Sequence, residues 1–132
     1  MELRITALYA GLNALLAVAL AIRVVQQRFR GRVLFGDGGV PELARAIRAH
    51  ANNTEYVPIV LILLGVLEAS AAPAWLLHAL GAAFTLGRFA HAIGLSRSSG
   101  KSAARAGGMV LTWTVMAIAA LLAVAAGLGG FS

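Results

Sequence analysis

The sequence predicts an all-α integral membrane protein, a bundle of four transmembrane helices. Hydrophobic residues make up 60% of the chain and charged residues 12%, and the mean hydropathy is +0.84. The apolar residues fall into four long runs separated by short polar connectors, without the alternation typical of strands. A soluble domain of 132 residues could not bury so much apolar surface. A bilayer accommodates it, since a run of about 20 apolar residues spans the hydrocarbon core.

Length and charge limit the remaining possibilities. A chain of this length is expected to form one domain, residues 1–132. The sequence contains no cysteine, which excludes disulfides, thiolate metal ligands and a cysteine nucleophile. The net charge of +6 comes from residues grouped beside apolar runs. This placement is typical of cytoplasmic loops facing an anionic leaflet, so we expect membrane lipid as a partner and no nucleic acid.

The first predicted span covers residues 5–25, and its length and following arginines favour a retained span over a cleaved signal peptide. Asn13 interrupts it and could bond across helices or touch a ligand. Residues 26–42 form a basic connector with a turn at Gly36-Asp37-Gly38-Gly39.

The second predicted span, residues 43–69, is arginine-rich in its first half and apolar in its second. Pro58 should kink it and free the carbonyl groups near Thr54 and Glu55. Glu68 lies at its far end, where we expect the carboxylate to be solvated rather than functional.

The third and fourth predicted spans cover residues 74–95 and 104–128, with a small basic connector at residues 96–102. Basic residues gather at one side of the predicted bundle. They are Arg23, Arg28, Arg30, Arg32, Arg45, Arg48, Arg88, Arg97, Lys101 and Arg105, against Arg4 alone on the other side. By the positive-inside rule both termini lie outside and both basic connectors face the cytoplasm.

The polar start of the second helix is the candidate site. With about 100° between successive residues, Arg45, Arg48, Asn52 and Glu55 share a face roughly 80° wide. Charges at membrane depth normally face a bundle interior or a wet cavity. The alternative is that these groups only pair with one another and with lipid phosphates.

The residue types in this face favour a small anionic ligand that also carries a cationic group. Arginine binds carboxylates in a bidentate manner, and a buried glutamate needs a cationic partner. Because the chain offers no evident nucleophile, a reaction here would use a nucleophile supplied by the ligand and stabilised by an arginine. His50, His78 and His91 lack the spacing of metal ligands, so no metal is expected.

Three motifs resemble those of a known family. Arg48-Ala-His-Ala-Asn52-Asn-Thr-Glu55-Tyr-Val-Pro58 resembles the second-helix signature of the membrane-associated proteins of eicosanoid and glutathione metabolism (MAPEG). Gly87-Arg88-Phe-Ala-His91 is similar to the third-helix motif of that family, and Ala104-Arg105-Ala106 to the start of its fourth helix. The order of these motifs over four short spans covers essentially the whole chain.

The resemblance implies a homotrimer that binds glutathione as co-substrate between subunits at the cytoplasmic side. It implies that Arg48, Asn52 and Glu55 hold the glutathione backbone. Arg88 and His91 would line the same pocket, and Arg105 would be the catalytic residue that stabilises the thiolate.

The function implied by the resemblance is that of a glutathione S-transferase or peroxidase acting on small lipophilic electrophiles that arrive from the bilayer. The short loops between the predicted spans favour a bacterial member of the family, located in the inner membrane. One alternative is a non-catalytic membrane protein that binds glutathione or lipid. A small multidrug-type transporter is disfavoured, because the first span has Asn13 where such transporters need a carboxylate.

Overall fold

A computed structural model describes residues 2–97 and 102–129. It contains four α-helices: α1 (Arg4–Gly31), α2 (Pro41–Ala69), α3 (Ala74–Arg97) and α4 (Ala103–Gly127). None of the described residues forms a strand. Residues 98–101, which include Lys101 of the predicted third connector, lie outside the described residues.

The predicted all-α membrane bundle is confirmed. Helices α1, α3 and α4 are long and apolar enough to cross a membrane. Helix α2 has 29 residues but a more polar first half, where Arg45 and Arg48 lie. Helices α2 and α3 contribute most of the buried side chains, so they form the inside of the bundle.

The first connector is shorter than predicted, because α1 continues to Gly31 instead of ending at residue 25. Glutamine and arginine favour helices, so the polar segment after the apolar run extends the same helix. Arg32 then adopts a left-handed conformation with φ of 52°, and the connector that remains is residues 32–40.

Helix α2 runs without a break through Pro58, the residue at which the sequence predicts a kink. Proline has no N–H, so the carbonyl of Thr54 receives no hydrogen bond from residue 58. The Thr54 hydroxyl donates to the carbonyl oxygens of His50 at 2.8 Å and Ala51 at 3.1 Å, within the preceding turn. The polar first half and the apolar second half of α2 therefore belong to one helix.

Helices α1 and α3 pack closely at two points. The ring of Tyr9 lies against Gly81, where a Cβ atom would come within 2.2 Å of the ring. One turn further along α1, the Asn13 amide donates to the Thr85 hydroxyl at 2.9 Å, with both residues buried. The interhelical role considered for Asn13 is thus confirmed.

Glu68 has a structural role that the sequence prediction missed. Its two carboxylate oxygens accept from the backbone N–H groups of Ile5 at 2.9 Å and Thr6 at 2.7 Å, and the carboxylate is partly buried. The first turn of a helix leaves such N–H groups without internal partners and favours negative charge. Glu68 therefore caps α1 from the end of α2.

Candidate functional site

A cavity of about 1,030 Å³ opens at the end of the bundle where α3 ends and α4 begins. Four predicted site residues line it: Arg48, Asn52, His91 and Arg105. The remaining lining residues are Leu95, Ser102, Ala103, Ala106, Met109, Val110 and Trp113. One part of the wall is therefore polar and cationic, and the part along α4 is apolar.

Glycines bring α3 and α4 into backbone contact beside this cavity. A Cβ atom at Gly94 would lie 2.5 Å from the backbone nitrogen of Arg105. A Cβ atom at Gly108 would lie 2.5 Å from the carbonyl oxygen of Gly87 and 2.6 Å from the backbone nitrogen of His91. Close approach of this kind is typical of small residues at membrane helix interfaces. It places His91 next to the first turn of α4.

The hydrogen bond of His91 defines its tautomer. Its Nδ1 lies 3.1 Å from the carbonyl oxygen of Arg105. A carbonyl oxygen can only accept, so Nδ1 carries the proton and donates, and Nε2 of the neutral ring is left as an acceptor. The residue is 5% exposed, and Nε2 has no hydrogen-bond partner within the described residues. Nε2 is thus a buried acceptor in a residue that lines the cavity.

Arg88 lies behind the cavity and is fully buried. Its guanidinium group donates to the side-chain oxygens of Asn52 at 2.8 Å and Asn53 at 3.3 Å. A third, long hydrogen bond of 3.5 Å reaches the Thr112 hydroxyl, and the group lies 5.7 Å from the centre of the Tyr56 ring.

No carboxylate among the described residues forms an ion pair with Arg88. Buried charge is tolerated only when it is well hydrogen-bonded or paired. The positive charge of Arg88 is therefore satisfied by neutral partners and adds to the positive potential behind the cavity.

The helical face predicted on α2 is divided in the structure. Arg48 and Glu55 form a two-point ion pair with N–O distances of 3.0 Å and 3.3 Å, and both side chains are about half exposed or more. Asn52, between them, is buried and turns to Arg88. Arg45 pairs with Glu42 at 2.9 Å and does not line the cavity.

The first turn of α4 completes the cationic wall. The Ser102 hydroxyl accepts from the backbone nitrogen of Arg105 at 3.4 Å and caps the helix. Ser102, Ala103 and Arg105 all line the cavity, and Arg105 forms no ion pair with a described residue. A helix N-terminus and a free guanidinium group at one place favour a bound anion.

Sequence reasoning missed three residues that hold the site together, namely Asn53, Tyr56 and Thr112. Asn53 and Tyr56 lie in the quoted second-helix motif, but only their packing shows that they contact Arg88. Thr112 could have been identified from the sequence, because it is a polar residue two helical turns after Arg105 on the same face of an apolar helix.

The fold and the cavity define a class: a small helical membrane protein with a cationic site at one end of its bundle. Comparison with known families identifies the family within this class, because the family model described as the MAPEG family matches residues 6–125. The chain belongs to the MAPEG family, which confirms the family resemblance.

Two relatives are similar over most of their length. Each is named inner membrane protein YecN, one from Escherichia coli strain K12 and one from Escherichia coli O6:H1 strain CFT073. Each is 38% identical to the chain over 117 residues, which is 89% of this chain and 88% of the relative.

Proposed function

We propose that the chain is a glutathione-dependent transferase or peroxidase of the bacterial inner membrane, with Arg105 as the catalytic residue. The observation that carries the proposal is the composition of the cavity wall. Arg48, Asn52, His91 and Arg105 meet at one cavity, although they come from three helices. Its volume of about 1,030 Å³ compares with roughly 300–1,000 Å³ for pockets that bind small molecules.

Glutathione matches the polar wall because it has two carboxylates, an ammonium group and a thiol. Arg48, which lines the cavity, is suited to a carboxylate. Glu55 does not line the cavity itself, but its ion pair with Arg48 holds it beside the wall, where it is suited to the ammonium group. Their mutual ion pair is half exposed and therefore worth only about 0–1 kcal/mol, so a ligand can replace it at little cost. Asn52 supplies a polar wall that Arg88 holds in place.

The thiol chemistry belongs to Arg105 and His91. The guanidinium group of Arg105 and the N-terminus of α4 stabilise a thiolate, as preorganised donors stabilise other developing anions. His91 lines the cavity, and its Nε2 is a buried acceptor that a bound ligand would have to uncover in order to hydrogen-bond to it. In conjugation, the thiolate sulfur forms a bond to an electrophilic carbon, and either the bond from that carbon to a leaving group breaks or a conjugated C=C bond opens. The electron pair of the broken bond goes to the leaving group or to the conjugated system, which takes up the proton that the thiol lost.

The apolar part of the cavity suits the second substrate. Val110 and Trp113 are largely exposed on α4, a helix apolar enough to cross a membrane. A lipophilic electrophile dissolved in the bilayer can approach along this wall and meet the thiolate at the polar end. From the positive-inside rule we infer that the basic connectors, and with them the site, face the cytoplasm. The names of the relatives support the inner membrane.

The test is a titration of the purified protein with glutathione, followed by the ultraviolet absorbance of the thiolate and by conjugation of a lipophilic electrophile. Arg105→Ala should keep much of the binding and lose the thiolate signal, with turnover reduced about 10²–10³-fold. Glu55→Ala should weaken binding first. Arg97→Ala is the matched control, an exposed arginine outside the cavity at the same end of the bundle.

Binding without any thiolate signal in the parent protein would refute the enzymatic proposal and favour a non-catalytic glutathione-binding protein. Absence of glutathione binding would refute both, and it would leave lipid as the ligand. Equal behaviour of Arg105→Ala and Arg97→Ala would refute the assigned role of Arg105.

A further inference from the structure

The segment joining α1 to α2 exposes three large apolar side chains. Phe29 in the last turns of α1 is 81% exposed, and Leu34 and Phe35 in the connector are 97% and 95% exposed. Their neighbours Arg30 and Arg32 are also exposed. Exposed apolar groups of this size mark a surface that another body covers.

The connector is folded and not simply extended. The Arg28 guanidinium donates to the carbonyl oxygens of Leu34 at 3.3 Å and Gly36 at 3.0 Å. The carboxylate of Asp37 accepts from the backbone N–H of Gly39 at 3.0 Å. Asp37, the single acidic residue of this segment, thus forms its hydrogen bond within its own turn, while the side chains of Leu34 and Phe35 stay exposed.

The Arg28 hydrogen bonds also set the height of the connector relative to the membrane. Phe29 lies four residues beyond the predicted end of the apolar run at residue 25, roughly 6 Å along the helix axis. The interfacial layer of a bilayer is about 5–8 Å thick on each side. Arg28 donates to the carbonyl oxygens of Leu34 and Gly36, so the connector stays close to the end of α1. If the hydrocarbon ends near residue 25, as the sequence predicts, this position corresponds to the headgroup layer.

We propose that this segment, residues 28–40, docks on the headgroup layer of an anionic leaflet. Phe29, Leu34 and Phe35 insert between lipids, while Arg30 and Arg32 bind lipid phosphates. Large apolar groups flanked by arginine are the pattern by which peripheral segments bind anionic membranes. The exposed Arg30 and Arg32 favour an anionic surface over an uncharged protein partner.

Spin labels on single cysteines test the proposal, because the natural chain has none. Leu34→Cys and Phe35→Cys are labelled in the full-length protein and placed in nanodiscs of phosphatidylcholine with or without phosphatidylglycerol. Accessibility to oxygen and to a water-soluble nickel chelate reports depth. Leu15→Cys, at an exposed position within the apolar run of α1, is the lipid reference, and Glu2→Cys is the aqueous reference.

In discs with phosphatidylglycerol, the labels at positions 34 and 35 should have a depth between those of the two references: more accessible to oxygen and less accessible to nickel than the Glu2→Cys label, but less so than the Leu15→Cys label. Exchanging Arg30→Gln and Arg32→Asn should weaken this protection about fivefold per arginine. Asparagine is chosen at position 32 because it tolerates the left-handed backbone.

Three outcomes overturn the proposal. Labels that the nickel chelate reaches freely would show a connector in water. Labels protected from both oxygen and nickel would show a protein cover, such as a second copy of the chain. Equal protection in discs without phosphatidylglycerol would show that lipid charge is not recognised. Each result can be obtained whether or not the protein binds glutathione.

Discussion

The hydrogen bond between Arg88 and Asn52 should stabilise the bundle more than a neutral bond between helices does. Its donor is a fully buried guanidinium group, and its N–O distance of 2.8 Å is the shortest of the three that Arg88 forms with side chains. A hydrogen bond to a charged group contributes about 1.5–3 kcal/mol. A neutral hydrogen bond between membrane helices averages about 0.6 kcal/mol.

A double-mutant cycle measures this difference. Asn52→Ala, Arg88→Met and the double variant are unfolded in mixed micelles, and the coupling free energy is taken from the four free energies of unfolding. We expect about 1.5–3 kcal/mol of coupling. Asn13→Ala with Thr85→Val gives the matched neutral cycle across the bond of 2.9 Å between α1 and α3.

Equal coupling in the two cycles would refute the reasoning, because it would mean that the charge of Arg88 gains nothing from its partner. The single variants provide a second check. Asn53→Ala and Thr112→Val remove longer bonds of 3.3 Å and 3.5 Å, so each should destabilise the protein less than Asn52→Ala does.

Two further predictions concern helix ends and close packing, and both are measured as free energies of unfolding. Glu68→Gln should destabilise the protein by about 1 kcal/mol, since it removes a charged cap at the start of α1, whereas Glu2→Gln at an exposed pair should have no measurable effect. Gly81→Ala should cost about 1–3 kcal/mol by forcing the Tyr9 ring away, while Gly11→Ala, which has open space, should be neutral or stabilising. Equal effects of the two glutamate variants would contradict the capping role of Glu68, and equal effects of the two glycine variants would contradict the close packing at Gly81.

The helical bundle was predictable because one physical constraint dominates it. Backbone groups in hydrocarbon must be satisfied within a helix, so long apolar runs can form only a few structures. The residues at which the helices end were harder to predict. The polar segment after residue 25 prolongs α1 to Gly31, because solvation of side chains does not prevent the backbone from continuing its hydrogen bonds.

The candidate site was predictable in composition but not in arrangement. Helical periodicity placed Arg48, Asn52 and Glu55 on one face. Periodicity cannot show that Arg48 pairs with Glu55 while Asn52 turns inward to Arg88. The partner of each side chain depends on which residues of the neighbouring helices pack against it, and the sequence of one helix does not contain that information.

By itself the sequence determined the class of protein, the number of helices and the residues available for chemistry, because hydropathy and motif spacing are local properties of the chain. Only the tertiary structure decided which groups meet. The close contact of α3 and α4 at Gly94 and Gly108 brings His91 to the Arg105 carbonyl and leaves Nε2 without a hydrogen-bond partner among the described residues. Burial of Arg88 and capping by Glu68 likewise join residues that are distant in the chain, since packing of whole helices sets their positions.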